Sequence, residues 1–233
     1  LGEDRRFFSY FHPALEDEPI IFVQVALTNG LGRSIQEITK PRSDGDQKYD
    51  SATFYSISNC QEGLSRVTLG NFLIKRVVFE IQEELPNIKH FGTLSPIPGF
   101  RDWFSYLEDG KIKNILGDVP VENSSFLKSP DLKVGDPRIV SNKLAITKLV
   151  AHYLMNEKDK KQLPINDVCR FHLGNGAIID DIIINANVSE VGLNRSFGVM
   201  VNYLYELKNI EKNHEEYINN KTIIVSDKLK KII

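Results

Sequence analysis

The chain has 233 residues, 41% hydrophobic and 26% charged, the balance of an ordinary globular protein of one large domain or two small ones. A net charge of −2 argues against a broad nucleic-acid footprint, and no apolar run approaches the roughly 20 residues of a membrane span. The only cysteines, Cys60 and Cys169, build neither a disulfide scaffold nor a metal site by themselves, which suggests a reducing, intracellular setting with no metal.

"LGEDRRFF" starts at leucine and has no apolar signal region, so the chain reads as a piece of a longer product. "PIIFVQVALT" (19–28) is β-branched and predicts a buried strand, followed by a short helix over Leu31, Ile35 and Ile38. Residues 40–50 form a polar surface loop, and "SATFYSIS" (51–58) the next strand. Ile74, Val77, Val78, Ile81 and Leu85 give one apolar helical face, with Gly70 and Asn71 ahead of it as cap and Pro86 as stop. "IKHFGTLS" (88–95) is a short strand, and residues 108–142, rich in Gly, Pro, Ser, Asp and Asn, read as an irregular insertion. A helix over 142–156 carries Ile146, Leu149, Val150, Tyr153 and Leu154 on one face. Three strands are expected in "CRFHLGNG", "AIIDDIIINA" and "FGVMVNYLYEL", then a short strand and a frayed helix in the tail. The order β-β-α-β-α-β-β-β makes the fold class mixed α/β.

Four stretches are candidates for chemistry. In "YSISNCQEGLSRVTLGN", glycines and Arg66 precede a helix whose first N–H groups are unpaired and attract an anion. It lacks the P-loop and dinucleotide fingerprints, and a plain strand–loop–helix connection fits it as well. In "FGTLSPIPGF" (91–100), Pro96 makes Ser95 extended, Pro96 and Pro98 fix two φ angles, and Gly99 permits a positive one. That is a rigid mount for a hydroxyl facing a solvated pocket, or merely a rigid connection. There is no nucleophile elbow, and Ser95 precedes a proline, so hydrolase chemistry is poorly supported. His172 sits between Phe171 and Leu173, where a core histidine is commoner than a catalytic one, and Asn175-Gly176 signals a hairpin. His172 is expected to titrate near neutrality, whereas His12, His90, His152 and His214 have no better context. In "VNYLYEL", Asn202, Tyr203 and Tyr205 are polar outliers, with the two tyrosines expected on opposite faces.

The blocks "DRRFFSYFHPALEDEPIIFVQVALT", "FYSISNCQEGL", "LGNFLIKRVV", "TLSPIPGF", "AHYL", "FHLGNGA" and "GVMVNYLY" run in order from residue 4 to 205. Together they resemble the C-terminal catalytic domain of the malonyl-CoA decarboxylase family. The resemblance implies a GNAT-like architecture for residues 1–233: a mixed, strongly bent β-sheet flanked by helices, with coenzyme A between splayed central strands. The family's helical N-terminal domain is not expected within these 233 residues. The loop before the 71–85 helix then becomes the pyrophosphate site, with Gln61, Gly63, Ser65, Arg66, Gly70 and Asn71 as the coenzyme A contacts.

The implied reaction converts malonyl-CoA to acetyl-CoA and carbon dioxide without a cofactor, coenzyme A being part of the substrate. The resemblance assigns Ser95 to the malonyl carboxylate and a proton relay, His172 to the thioester oxygen, and Tyr205 to their support. Departures from the family pattern fall at Thr68, in place of a glutamate, and at Asp180, Asp181 and Ile184, in place of a basic, tryptophan-bearing strand. Rival expectations are an acyl-CoA acyltransferase on the same fold and a non-catalytic coenzyme A-binding module. The expected partners are malonyl-CoA and acetyl-CoA, without nucleic acid or membrane, in a homo-oligomer if the chain assembles. The expected compartment is the cytoplasm, or the mitochondrial matrix in a eukaryote.

Overall fold

The computed structural model describes residues 2–40, 48–60 and 70–233. Gln61, Gly63, Ser65, Arg66 and Thr68 therefore lie outside the described residues. The strands are β1 (Arg5–His12), β2 (Leu15–Thr28), β3 (Ser51–Asn59), β4 (His90–Thr93), β5 (Ser95–Pro96), β6 (Ile178–Ile183) and β7 (Met200–Leu204). They form one sheet in the order β1-β2-β3-β4-β7-β5, with β6 on the other edge of β7. Every pairing is antiparallel except β3 with β4.

Helix α1 (Ile35–Thr39) starts at Ser34, whose hydroxyl accepts from Glu37 N, and leaves Leu31 outside. Helix α2 (Gly70–Glu84) is the crossover that a parallel β3–β4 pair requires. Its residues Ile74, Val77, Val78 and Ile81 are buried in the main core with Phe54 and Phe91, as the apolar periodicity predicts. The helix starts at Gly70, so Asn71 lies in its first turn and is not its cap.

The site depends on how β3 and β4 separate. They pair from Ser51↔His90 to Phe54↔Thr93, and Leu94 N still donates to Phe54 O at 3.0 Å. Beyond that point β3 runs on to Asn59, while the other chain turns to pair with β7 through Ser95↔Val201. The central strands thus part at Ser95.

Two expectations change. Residues 108–142 are not irregular. After α3 (Phe100–Ser105) come α4 (Asp109–Leu116), α5 (Glu122–Ser125), a 3-10 turn at Phe126–Lys128 and α6 (Pro137–Ser141). They are short, and only α4 repeats its apolar residues at helical spacing, yet together they bury Ile112, Leu116, Leu127 and Ile139. Helix α7 (Lys143–Met155) follows as expected, and then "DVCRFHLG" is helix α8 (Asp167–Gly174), not a strand. Asn166 caps α8, its side chain accepting from Cys169 N at 2.8 Å, and Asp167 favours the first turn. Asn175-Gly176 accordingly ends a helix and makes no hairpin. Gly176 has φ +80°, and a Cβ there would lie 2.2 Å from the Ile210 carbonyl oxygen. The remaining helices are α9 (Glu190–Ser196), α10 (Ile210–Asn220) and α11 (Asp227–Lys230), the last matching the helix expected in the tail. No helix among the described residues is long and apolar enough to cross a membrane.

Candidate active site

The proline-rich turn is clamped from both ends. Ser95 and Pro96 pair with Val201 and Met200 of β7. The Pro98 carbonyl accepts from the Tyr153 hydroxyl and from Asn166 Nδ2, each at 2.9 Å. Gly99 adopts φ +79° to start α3, and a Cβ there would approach the Tyr153 hydroxyl to 2.8 Å. The backbone around Ser95 is therefore fixed by covalent restriction and by partners from α7 and the α8 cap.

On that mount Ser95 does not face open solvent, contrary to the sequence expectation; the residue is only 6% exposed. Its Oγ donates to Thr93 Oγ1 at 2.8 Å and lies 2.9 Å from His172 Nε2. The other ring nitrogen, Nδ1, lies 2.8 Å from the Tyr205 hydroxyl. Tyr203 stacks on the imidazole with ring centroids 4.5 Å apart. Tyr203 and Tyr205 therefore both serve His172. Residues two apart in an extended chain share a face, so the expectation of opposite faces fails. The Tyr205 N–H donates to Phe91 O at 2.8 Å, which ties the segment after β7 to β4.

His172 is 3% exposed, and burial lowers its pKa to about 3. Loss of hydration disfavours the imidazolium. The imidazole is thus neutral at physiological pH, and the expectation of titration near neutrality is corrected. Burial likewise drives the Tyr205 phenol well above its ordinary value, so it remains a neutral hydroxyl. Both ring nitrogens are thus engaged, and the hydrogen-bonded chain runs from Tyr205 through His172 to Ser95 and on to Thr93.

Two contributors escaped the sequence reading. Thr93 shares the Ser95 face at the i, i−2 position, a signal that strand alternation carries. Asn202, noticed only as an outlier, donates from Nδ2 to Thr93 O at 2.7 Å and to Gly32 O at 3.0 Å, locking the β4 end to the loop after β2. Asp180 and Asp181 sit elsewhere, on β6, paired with Lys228 and Arg33. Of the residues assigned to coenzyme A, Gly70 and Asn71 open α2.

A mixed α/β fold with a mostly antiparallel sheet flanked by helices, its central strands β3 and β4 parting beside Ser95, is of the GNAT-like class. The CurA loading GNATL domain of Lyngbya majuscula, 11% identical, matches 85% of this chain with a TM-score of 0.50, a likeness of fold alone. The sequence profile of the malonyl-CoA decarboxylase C-terminal domain matches residues 1–233, and the chain belongs to that family.

Mitochondrial malonyl-CoA decarboxylase of Anser anser anser is 36% identical over 98% of this chain and 50% of its own length. The malonyl-CoA decarboxylase structure from Cupriavidus metallidurans is 35% identical with a TM-score of 0.85, covering 100% of this chain and 59% of that one. The corresponding structure from Rhodopseudomonas palustris is 36% identical with a TM-score of 0.82, covering 99% and 53%. This chain spans about half the length of the relatives it matches.

Proposed function

We propose that this chain decarboxylates malonyl-CoA to acetyl-CoA and carbon dioxide, with Ser95, His172 and Tyr205 as its working groups. The observation that carries the reading is the neutral hydrogen-bonded chain ending on Ser95 where β3 and β4 part. In the reaction the bond between the carboxylate carbon and Cα breaks. Its electron pair delocalises onto the thioester oxygen, carbon dioxide leaves, and Cα takes a proton. The thioester is itself the electron sink, so the proposed chemistry calls on no metal or organic cofactor.

Such a reaction is accelerated by a fixed donor aimed where negative charge grows. The sequence assignment gives that task to His172, but its ring nitrogens are already engaged, so we move it to Ser95. The Ser95 hydroxyl turns from Thr93 to the thioester oxygen, while His172 Nε2–H donates to Oγ. Donation into the hydroxyl oxygen polarises the O–H and makes it a better donor. The same hydroxyl can relay a solvent proton to Cα. The pyrophosphate would rest at the N-terminus of α2, at Gly70 and Asn71, and Gln61, Gly63, Ser65 and Arg66 of the preceding sequence remain its proposed further contacts.

Incubation with malonyl-CoA tests this. The expected result is carbon dioxide and acetyl-CoA in equal amounts. Coenzyme A binding without carbon dioxide release would leave a binding module, and acyl transfer to an added amine would make the chain an acyltransferase.

A further inference from the structure

The direction of the hydrogen bonds through the site is not arbitrary. A neutral imidazole has one donor and one acceptor nitrogen, so the chain can run two ways. Either Tyr205 donates to Nδ1 and Nε2–H donates to Ser95, or Ser95 donates to Nε2 and Nδ1–H donates to Tyr205. The second arrangement commits the single Ser95 proton to Nε2 and ends on the buried Tyr205 O–H, whereas the first ends on the equally buried Thr93 O–H, so what separates them is where the Ser95 proton points. The first requires another acceptor for the Ser95 proton.

That acceptor is present. Ser95 Oγ donates to Thr93 Oγ1 at 2.8 Å, and the Tyr203 N–H donates to the same oxygen at 3.3 Å. Thr93 is 1% exposed, and its carbonyl is held by Asn202 Nδ2 at 2.7 Å. Its hydroxyl is thus a fixed, dry acceptor two residues from the serine. We infer that Thr93 is a positioning residue: by holding the Ser95 proton it makes Ser95 accept from His172, which fixes the Nε2–H tautomer and the Tyr205→His172→Ser95 direction.

This rests on the proposed catalytic pair, with consequences beyond it. Without the Thr93 oxygen, the Ser95 proton is free to turn onto Nε2. The chain then runs backwards, and Ser95 has no proton for a substrate oxygen. A partner that fixes an imidazole tautomer can matter to turnover without touching substrate.

Nitrogen-15 NMR of histidine-labelled protein, without substrate, reads the tautomer directly and independently of whether malonyl-CoA is the substrate. The wild-type protein is expected to show His172 protonated at Nε2. Thr93→Val, close in shape but lacking the acceptor, is expected to shift the proton to Nδ1. It should also lower kcat on the order of 10²-fold at little changed KM, a cost typical of a misdirected group. Thr93→Ser is expected to restore both. Thr93→Ala, which relieves packing as well, serves if the valine variant does not fold. An Nδ1–H tautomer in the wild-type protein, or an unchanged Nε2–H tautomer in a folded Thr93→Val or Thr93→Ala protein, would overturn the inference.

Discussion

Ser95, on the β5 edge of β7, joins His172 of α8 and Tyr205 just past β7, all almost fully buried and linked by bonds of 2.8 to 2.9 Å among neutral groups. On the other edge of β7, β6 presents Asp180 and Asp181 to Lys228 and Arg33, ion pairs whose basic side chains are more than half exposed. The clusters are one strand apart and follow different physics. Their basic partners stay open to water and can exchange with it, so each pair contributes no more than about 1 kcal/mol. The buried chain cannot, so a lost partner leaves a polar group without hydration or hydrogen bond, at about 1–3 kcal/mol. The departures that the resemblance implied at Asp180 and Asp181 thus fall among the half-exposed ion pairs, and Ser95, His172 and Tyr205 fall in the buried chain.

Substitutions on the two sides should separate accordingly. Ser95→Ala should lower turnover by about 10²- to 10³-fold, the cost of deleting one positioned donor. Unlike a hydroxyl in a solvated pocket, its loss should also cost about 1–3 kcal/mol in denaturant unfolding, since His172 Nε2 and Thr93 each lose a partner. Full activity in that variant would end the comparison.

Acid should act next most strongly. His172 has a folded pKa of about 3, below the ordinary value of 6.5. Keeping it neutral stabilises the fold fully above the unfolded value, and that contribution is lost as pH falls from there toward the folded one. The slope from this residue reaches about 1.4 kcal/mol per pH unit, and His172→Asn should remove it from the stability-against-pH curve. Pro96→Ala retains the hydroxyl and loosens its mount, for a loss of roughly tenfold in turnover. On the far edge, Asp181→Asn should change stability by less than about 1 kcal/mol, diminishing with salt, and leave turnover within twofold. A large loss of activity there would mean that the two edges are coupled.

Much of the framework was legible because it rests on local periodicity. The apolar face of α2 and that of α7 appear in the sequence at helical spacing and are buried as expected. The strand from Ser51 and the extended Ser95 also follow from local rules. Helix α8 was misread because Cys169, Phe171 and Leu173 suggest a strand, although Asn166-Asp167 already carries a helix start. β1 was not anticipated: "RRFFSYFH" has no apolar alternation, and it forms an edge strand by pairing with β2. The site residues came from family blocks more than from their own chemistry. Burial, which keeps the His172 imidazole neutral, is a tertiary property that neighbouring residues in sequence could not supply.

The account stands most directly on that neutrality. The pH dependence of kcat for carbon dioxide release from malonyl-CoA should be flat between about pH 5.5 and 8, with no limb near the ordinary histidine pKa. His172→Asn should lower the whole profile without changing its shape. A wild-type limb centred near pH 6.5 that vanishes in His172→Asn would show His172 working by titration and would contradict the neutral donor chain.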